Sequence, residues 1–265
     1  RVLFRSLSRW FHLTALEVNV ALSSVLALLY WSKFNKKGHL VISALFLSFG
    51  FLTKVSALIV SPVIFYLLLE RYTEKKDTDQ FLKYIVVFCF FTVLFFPALW
   101  VNSKETLYHI FGSLVGSVKG EIRQNTFSFW LNTFYYPVIG FFRLSPITIV
   151  LSILSINKIK LEKSKELFVL LGVVVFYLIS LTLGSQKIDR YFVSFIPYLI
   201  IFVAYYLSSI SLKVQKRYLI IIFVFFVLVT LKVFPLYTTY YNPVLGGSKT
   251  ALKLKIYDNS GEYFS

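Results

Sequence analysis

LVISALFLSFGFLTKVSALIVSPVIFYLLL, residues Leu40–Leu69, is the stretch on which the architecture turns. It holds one charge, Lys54, and one proline, Pro62. A helix crosses a bilayer core with roughly 20 apolar residues, so the stretch is long for one span and short for two. Thr53-Lys54 and Pro62 lie where a break would fall, and two short helices meeting near Lys54 is the preferred reading, with a single tilted helix as the alternative. The choice sets the sidedness of every later segment. With the break, the connections 32–38, 70–83, 157–166 and 211–218 share one side and carry 14 Lys/Arg in 39 residues. The segments 1–12, 101–133, 185–190 and 236–265 share the other side and carry 11 in 81. Lys and Arg collect in cytoplasmic loops, so the first set is expected inside. Without the break, Lys-rich loops would fall on both sides.

Composition agrees with a membrane protein. The 265 residues are 57% hydrophobic, 19% aromatic and 15% charged, against about 25% charged in soluble chains. Apolar runs at Leu13–Trp31, in both halves of Leu40–Leu69, and at Tyr84–Trp100, Tyr135–Ile156, Leu167–Gly184, Phe192–Ile210 and Leu219–Phe234 predict an all-α, polytopic bundle of about eight spans. Ser32–Gly38, Glu70–Lys83, Asn157–Glu166 and Ser211–Tyr218 read as charged loops, and Trp10, Trp31, Trp100 and Trp130 fall at span ends like an aromatic belt. Between Val101 and Asn132, Asn102 with Glu105 reads as a capping box. Leu107, Ile110, Phe111, Leu114, Val115, Val118 and Ile122 then follow at helical spacing, which predicts an interfacial amphipathic helix. Its Gly112, Gly116 and Gly120 form either a close-packing face or a weak, exposed stretch.

The net charge of +16 comes in bursts between apolar runs, which excludes a nucleic-acid surface and fits topology signals. Cys89 lies inside an apolar run and is read as packing. The chain opens at Arg1 and contains no methionine, so it is expected to be a fragment lacking its natural N-terminus. Residues 1–235 are expected to form one transmembrane domain without its N-terminal part, and 236–265 an extracytoplasmic tail.

Ionisable groups inside membrane helices are costly unless they face a cavity or a partner. In the preferred topology Glu17, Lys54, Arg143, Lys187, Asp189 and Arg190 all fall in the outer half of the membrane, as one polar cavity open to the outside would require. The bland alternative is that Lys54 and Arg143 snorkel to the interface, and that Lys187 and Arg190 mark an interface with Asp189 as their partner. A cavity rich in cations suits a phosphate at a lipid headgroup, with Arg as a bidentate fork and Lys as a point charge. Sugar transfer from a lipid phosphate needs such cations at the leaving group and a carboxylate to accept the acceptor's proton. For that carboxylate the chain offers Glu17 and Asp189. His12, His39 and His109 are scattered, and no metal-ligand spacing, Gly-rich phosphate loop or nucleophile elbow is present. No cofactor is expected, and a divalent metal finds no support in the residues.

Six short stretches, in order, resemble polytopic glycosyltransferase family 39 proteins, the bacterial relatives of protein O-mannosyltransferases and of aminoarabinose lipid A transferases. They are Ser8–Leu16 (SRWFHLTAL), Gly50–Lys54 (GFLTK), Phe96–Trp100 (FPALW), Phe134–Pro137 (FYYP) with Phe142–Pro146 (FRLSP), Lys187–Tyr191 (KIDRY) with Pro197, and Tyr240–Gly247 (YYNPVLGG). The resemblance implies a C-type glycosyltransferase fold in a prokaryotic plasma membrane. It also implies an inverting transferase that takes a sugar from a polyprenyl-phosphate donor on the outer face and passes it to a lipid, glycan or protein acceptor. In such enzymes the general base is an Asp in the first outer loop, which here would lie ahead of Arg1. The donor phosphate would fall to Lys54, Arg143, Lys187 and Arg190, supported by Asp189 and Tyr191. Tyr240, Tyr241 and Asn242 would border the acceptor side. Two departures stand out. The family often has Asp where this chain has Thr14, unless Glu17 supplies that contact, and a Gly-Trp-Gly-Glu-Gly stretch is missing after Gly247. A transporter or flippase for a phosphorylated lipid or polysaccharide precursor is the alternative from another class. It would predict inverted repeats, and none is visible.

Overall fold

A computed structural model describes residues 13–75, 78–119, 133–162, 164–184, 187, 189–233 and 241–254. Among these the regular structure is helical throughout, with no strand. The chain divides into two compact units, Arg1–Arg123 with Val169–Gln186, and Gln124–Phe168 with Lys187–Ser265.

The first unit is built on a helical hairpin, α1 (Leu13–Phe34) and α2 (Lys37–Thr53). Only Asn35 and Lys36 join them. Asn35 adopts a left-handed backbone, φ 55°, and its N–H bonds back to the Trp31 carbonyl at 2.8 Å. Asn tolerates that conformation better than other non-glycine residues, so it ends α1 cheaply. Small side chains let the two helices approach: Ala21, Ser24, Val25, Ser43 and Ala44 are fully buried or nearly so. The Ser24 hydroxyl donates to the Ser43 carbonyl and the Ser43 hydroxyl to the Ser24 carbonyl, both at 2.8 Å, and the Tyr84 hydroxyl lies 3.2 Å from Ser43 Oγ. Such exchanges hold helices together where lipid removes the usual hydrophobic drive.

The break foreseen at Lys54 is present. α2 stops at Thr53, Lys54 is extended, a 3-10 turn spans Val55–Val60, and α3 (Ser61–Lys75) follows. Gly50 permits the reversal, because a Cβ there would sit 3.0 Å from that of Ala57. Lys54 therefore stands at the opposite end of α2 from Lys33, Lys36 and Lys37, about 25 Å away at 1.5 Å per residue. α4 (Thr78–Leu94) packs on α2, where Ser48 and Thr92 hydroxyls meet at 3.0 Å. The helical turn α5 (Ala98–Val101) and α6 (Ser103–Lys119) come next. The amide N–H of Glu105 reaches the Asn102 side-chain oxygen at 3.4 Å, while the Asn102 side-chain amide donates to the Glu105 carboxylate at 2.8 Å. This differs from the reciprocal box that the spacing predicts, because Glu105 bonds the Asn side chain rather than its backbone. Leu107 and Phe111 are exposed, and among the described residues nothing approaches Gly112; the surroundings of Gly116 and the whole of Gly120 lie outside the described residues. The part of α9 (Lys165–Leu183) within this unit lies against α3, with Gly172 facing Val63.

The second unit holds α7 (Tyr135–Arg143), α8 (Pro146–Glu162), a 3-10 helix Asp189–Phe195, α10 (Ile196–Ser208), α11 (Leu212–Val233) and α12 (Gly247–Lys253). Its core contains Tyr135, Tyr136, Ile139, Phe195, Tyr198 and Phe202, all buried. α7 meets the 3-10 helix at Gly140, where an added Cβ would fall 2.9 Å from the Phe192 ring. Gly140→Ala is expected to cost ~1–3 kcal/mol by forcing that buried ring aside. A drop in the thermal midpoint of detergent-solubilised protein would show it.

Several expected boundaries move. Tyr135–Ile156 is two helices rather than one span, because Pro146 disfavours helical backbone at Ser145 and Leu144 is extended, ψ 147°. Arg143 thus ends a helix instead of lying within one. The run Phe192–Ile210 begins as 3-10 turns and becomes α-helical at Ile196-Pro197, where proline is at home in a first turn. The charged loops at 70–83, 157–166 and 211–218 are mostly helix, since Glu, Lys and Arg are good helix formers that extend an apolar helix past its apolar length. Trp31 is buried under the Arg71 guanidinium, 5.6 Å from its ring, and so faces protein. Trp10 and Trp130 lie outside the described residues. Cys89 is exposed on an apolar face of α4 with Ile85, Val86 and Phe90, not packed in a core.

Against about eight expected spans, three described helices are long and apolar enough to cross a membrane: Thr14–Phe34, Val55–Thr73 and Lys165–Leu183. Lys37–Thr53, Pro146–Ile159 and Ile196–Ser208 are apolar but shorter. Outward-facing surface is apolar along α4 and α11, where Ile220, Phe223, Leu228 and Leu231 are all exposed. Lipid would solvate such a surface and water would not.

Candidate functional site

Each unit gathers some of the residues that the sequence singled out. In the first unit, Glu17 lies one turn into α1 and is sealed from solvent, its side chain 2% exposed. The Ser56 hydroxyl donates to one carboxylate oxygen at 2.7 Å, and the Lys54 ammonium stands 3.8 Å from the other. Lys54 also donates to Thr14 Oγ1 at 3.4 Å and keeps its side chain 35% exposed. The extended backbone at the α2 break turns Lys54 toward α1, so the chain spends a helix interruption on bringing one cation to one buried acid. Both Lys54 contacts are long beside the 2.7–2.9 Å of a strong charge-assisted bond. The ammonium sits at the mouth of the cluster and the carboxylate at its floor.

In the second unit, three stretches far apart in sequence meet around α7. Arg143 closes the helix, where a cation complements the helix dipole. Its guanidinium carbon lies 4.2 Å from the centre of the Tyr241 ring, and Nη2 donates to the Tyr241 hydroxyl at 3.1 Å. Two turns earlier on the same helix, Tyr136 carries the Lys187 ammonium 5.7 Å from its ring centre. Residues seven apart share a helix face, so Tyr136, with Lys187 beside its ring, and Arg143 lie on one side of α7. Asn242 docks on the end of α7: its backbone N–H bonds the Phe142 carbonyl at 2.7 Å and its side-chain amide the Phe141 carbonyl at 3.2 Å. These carbonyls belong to the last turn, where no helical partner exists.

Lys187 is 6% exposed, and burial holds its ammonium below the usual lysine range. The folded protein therefore releases this proton at a lower pH than the unfolded chain does. Between the two values the unfolded chain binds more protons, so stability rises with pH across a window that ends near the ordinary lysine value of about 10.4. Below that window the cost of burying the charge is present in full. Measured up to alkaline pH, the unfolding midpoint of the native protein should gain on that of Lys187→Met.

Of the expected site residues, Asp189 and Arg190 lie in the 3-10 helix with Tyr191, but the side chains of the first two lie outside the described residues, as does the whole of Tyr240. Thr14, Ser56 and Tyr136 were given no role from sequence alone. Ser56 had a signal, standing two residues after a lysine at a helix break. Among the described residues no group of three or more His, Cys, Asp or Glu is placed to hold a metal ion. No family model matches the chain, and neither a curated protein nor a solved structure matches it.

Proposed function

We propose that the protein is a membrane glycosyltransferase that takes its sugar from a polyprenyl-phosphate-linked donor and delivers it to an acceptor hydroxyl on the extracytoplasmic face. One observation carries this reading: Arg143 and Lys187, from distant stretches, are each seated on a tyrosine ring in one unit, along one side of α7. The Tyr241 ring beside the guanidinium and the hydroxyl that takes an Nη2–H hold the cation in place, and its planar fork matches the geometry of phosphate oxygens. In transfer, the bond from the anomeric carbon to the phosphate oxygen breaks as the acceptor oxygen attacks. The leaving phosphate takes up charge that the two cations stabilise, and the acceptor's proton passes to a carboxylate. Glu17 is poorly suited to that last task, since Ser56 and Lys54 already engage it. The family resemblance gives that role to an Asp of the first outer loop instead. Arg190 and Tyr191 would complete the donor side, and the three shorter apolar helices, together with α4 and α11, would cross with the three longer ones, making up the eight spans.

The second reading, a carrier of phosphorylated lipid, is favoured by the Glu17–Lys54 pair, because paired charges inside membrane helices often mark transport routes. One assay separates the two. Full-length protein in vesicles is given a radiolabelled polyprenyl-phosphate sugar, and label is followed into lipid, glycan and protein fractions. Label leaving the donor supports the transferase. Intact donor that merely changes leaflet overturns it.

A further inference from the structure

We propose that Asn242 is the positioning residue of the Arg143 site, pinning Tyr241 so that the guanidinium meets a phosphate in a fixed direction. The proposal rests on Arg143 binding the donor phosphate. Asn242 is 3% exposed and uses both its backbone and its side chain. Its N–H and side-chain amide hold the Phe142 and Phe141 carbonyls, as described above. Its side-chain oxygen accepts from Val244 N at 3.1 Å, and its carbonyl accepts from Leu245 N at 3.2 Å and Gly247 N at 3.1 Å.

Two consequences follow for Arg143. The bond from Asn242 N to the Phe142 carbonyl ties together the neighbours of Tyr241 and Arg143, so the backbones that carry ring and guanidinium are held side by side. Arg143 is otherwise a long side chain at a helix end, and the ring removes much of its rotamer freedom before any ligand arrives. The two amide donors also satisfy carbonyls that would otherwise present negative charge beside the guanidinium and repel an anion. The loop is built to hold this pose. Pro243 fixes one backbone angle, Gly246 and Gly247 have φ of 87° and 60°, and a Cβ on Gly246 would collide with the Thr250 side chain.

The test measures binding of farnesyl phosphate, with farnesol as control, to the full-length protein in detergent micelles. Asn242→Ser keeps an oxygen for Val244 N and removes the arm to Phe141, and Tyr241→Phe keeps the ring and removes the hydroxyl. Asn242→Ser is expected to weaken farnesyl phosphate binding ~10-fold and Tyr241→Phe ~3-fold, on the scale of one ordinary hydrogen bond each. Farnesol binding should stay near native, which separates loss of the phosphate contact from loss of the fold. In an Arg143→Ala background, Asn242→Ser should add nothing, because the residue it acts through is gone. An equal further loss in that background, or no loss in the native one, overturns the positioning role while leaving the phosphate reading intact. Native-like affinity in Arg143→Ala alone overturns both.

Discussion

Arg143→Ala is expected to lower the specificity constant for sugar transfer ~100-fold, the largest single effect on activity in the chain. A guanidinium that stabilises a departing phosphate is worth a few kcal/mol in the transition state, and about 2.7 kcal/mol corresponds to a factor of 100. Arg143→Lys should recover part of that, to within ~10-fold of native, since it restores the charge but not the planar fork or the stacking on Tyr241. The measurement is kcat and KM for a polyprenyl-phosphate sugar, with protein level and unfolding midpoint as controls. If kcat falls together with kcat/KM, Arg143 acts in the transition state, and if KM alone rises, it contributes only ground-state binding. Native kinetics in Arg143→Ala would remove the observation on which the functional reading stands.

The largest stability effect is expected at Lys54. Lys54→Met leaves the Glu17 carboxylate sealed in the first unit with, among the described residues, the Ser56 hydroxyl to serve it. Removing one partner of a buried pair typically costs ~3–5 kcal/mol. Lys54 is about a third exposed, so solvent dilutes the pair and the lower end, about 3 kcal/mol, is expected. The reverse change is milder. Glu17→Gln leaves a lysine whose ammonium already reaches the edge of the cluster, and ~1–2 kcal/mol should suffice. Combining Lys54→Met with Glu17→Leu removes both charges and should return to within ~1 kcal/mol of native. Thermal unfolding of the native protein, Lys54→Met, Glu17→Leu and the double variant in detergent closes the cycle. Additive losses would mean that the two charges do not support one another.

How far the sequence revealed this is best judged at particular residues. The interruption at Lys54 was readable because a lone charge and a nearby proline in an apolar run leave few ways for a helix to continue. The break at Ser145 was missed although Pro146 announces it, since apolar residues on both sides masked the local rule. Helix ends beyond the apolar runs were also missed, because hydropathy marks where lipid begins and says little about where hydrogen bonding stops. Glu17 was recognised as unusual, but its partnership with Ser56 needs a fold-back of 39 residues that no periodicity encodes. The Tyr–Arg and Tyr–Lys pairings join stretches roughly 50–100 residues apart, and the separate motifs gave no hint which tyrosine would serve which cation.

The two-residue link between α1 and α2 has a mechanical consequence. With only Asn35 and Lys36 between them and serines locked across the middle, the helices have no slack to slide or tilt separately. A change in bilayer thickness would therefore rotate the hairpin as one lever, carrying Lys54 and Glu17 with it. The depth at which that pair meets the headgroups would then be a property of the lipid as much as of the protein, and reconstitution into acyl chains of graded length would tune it.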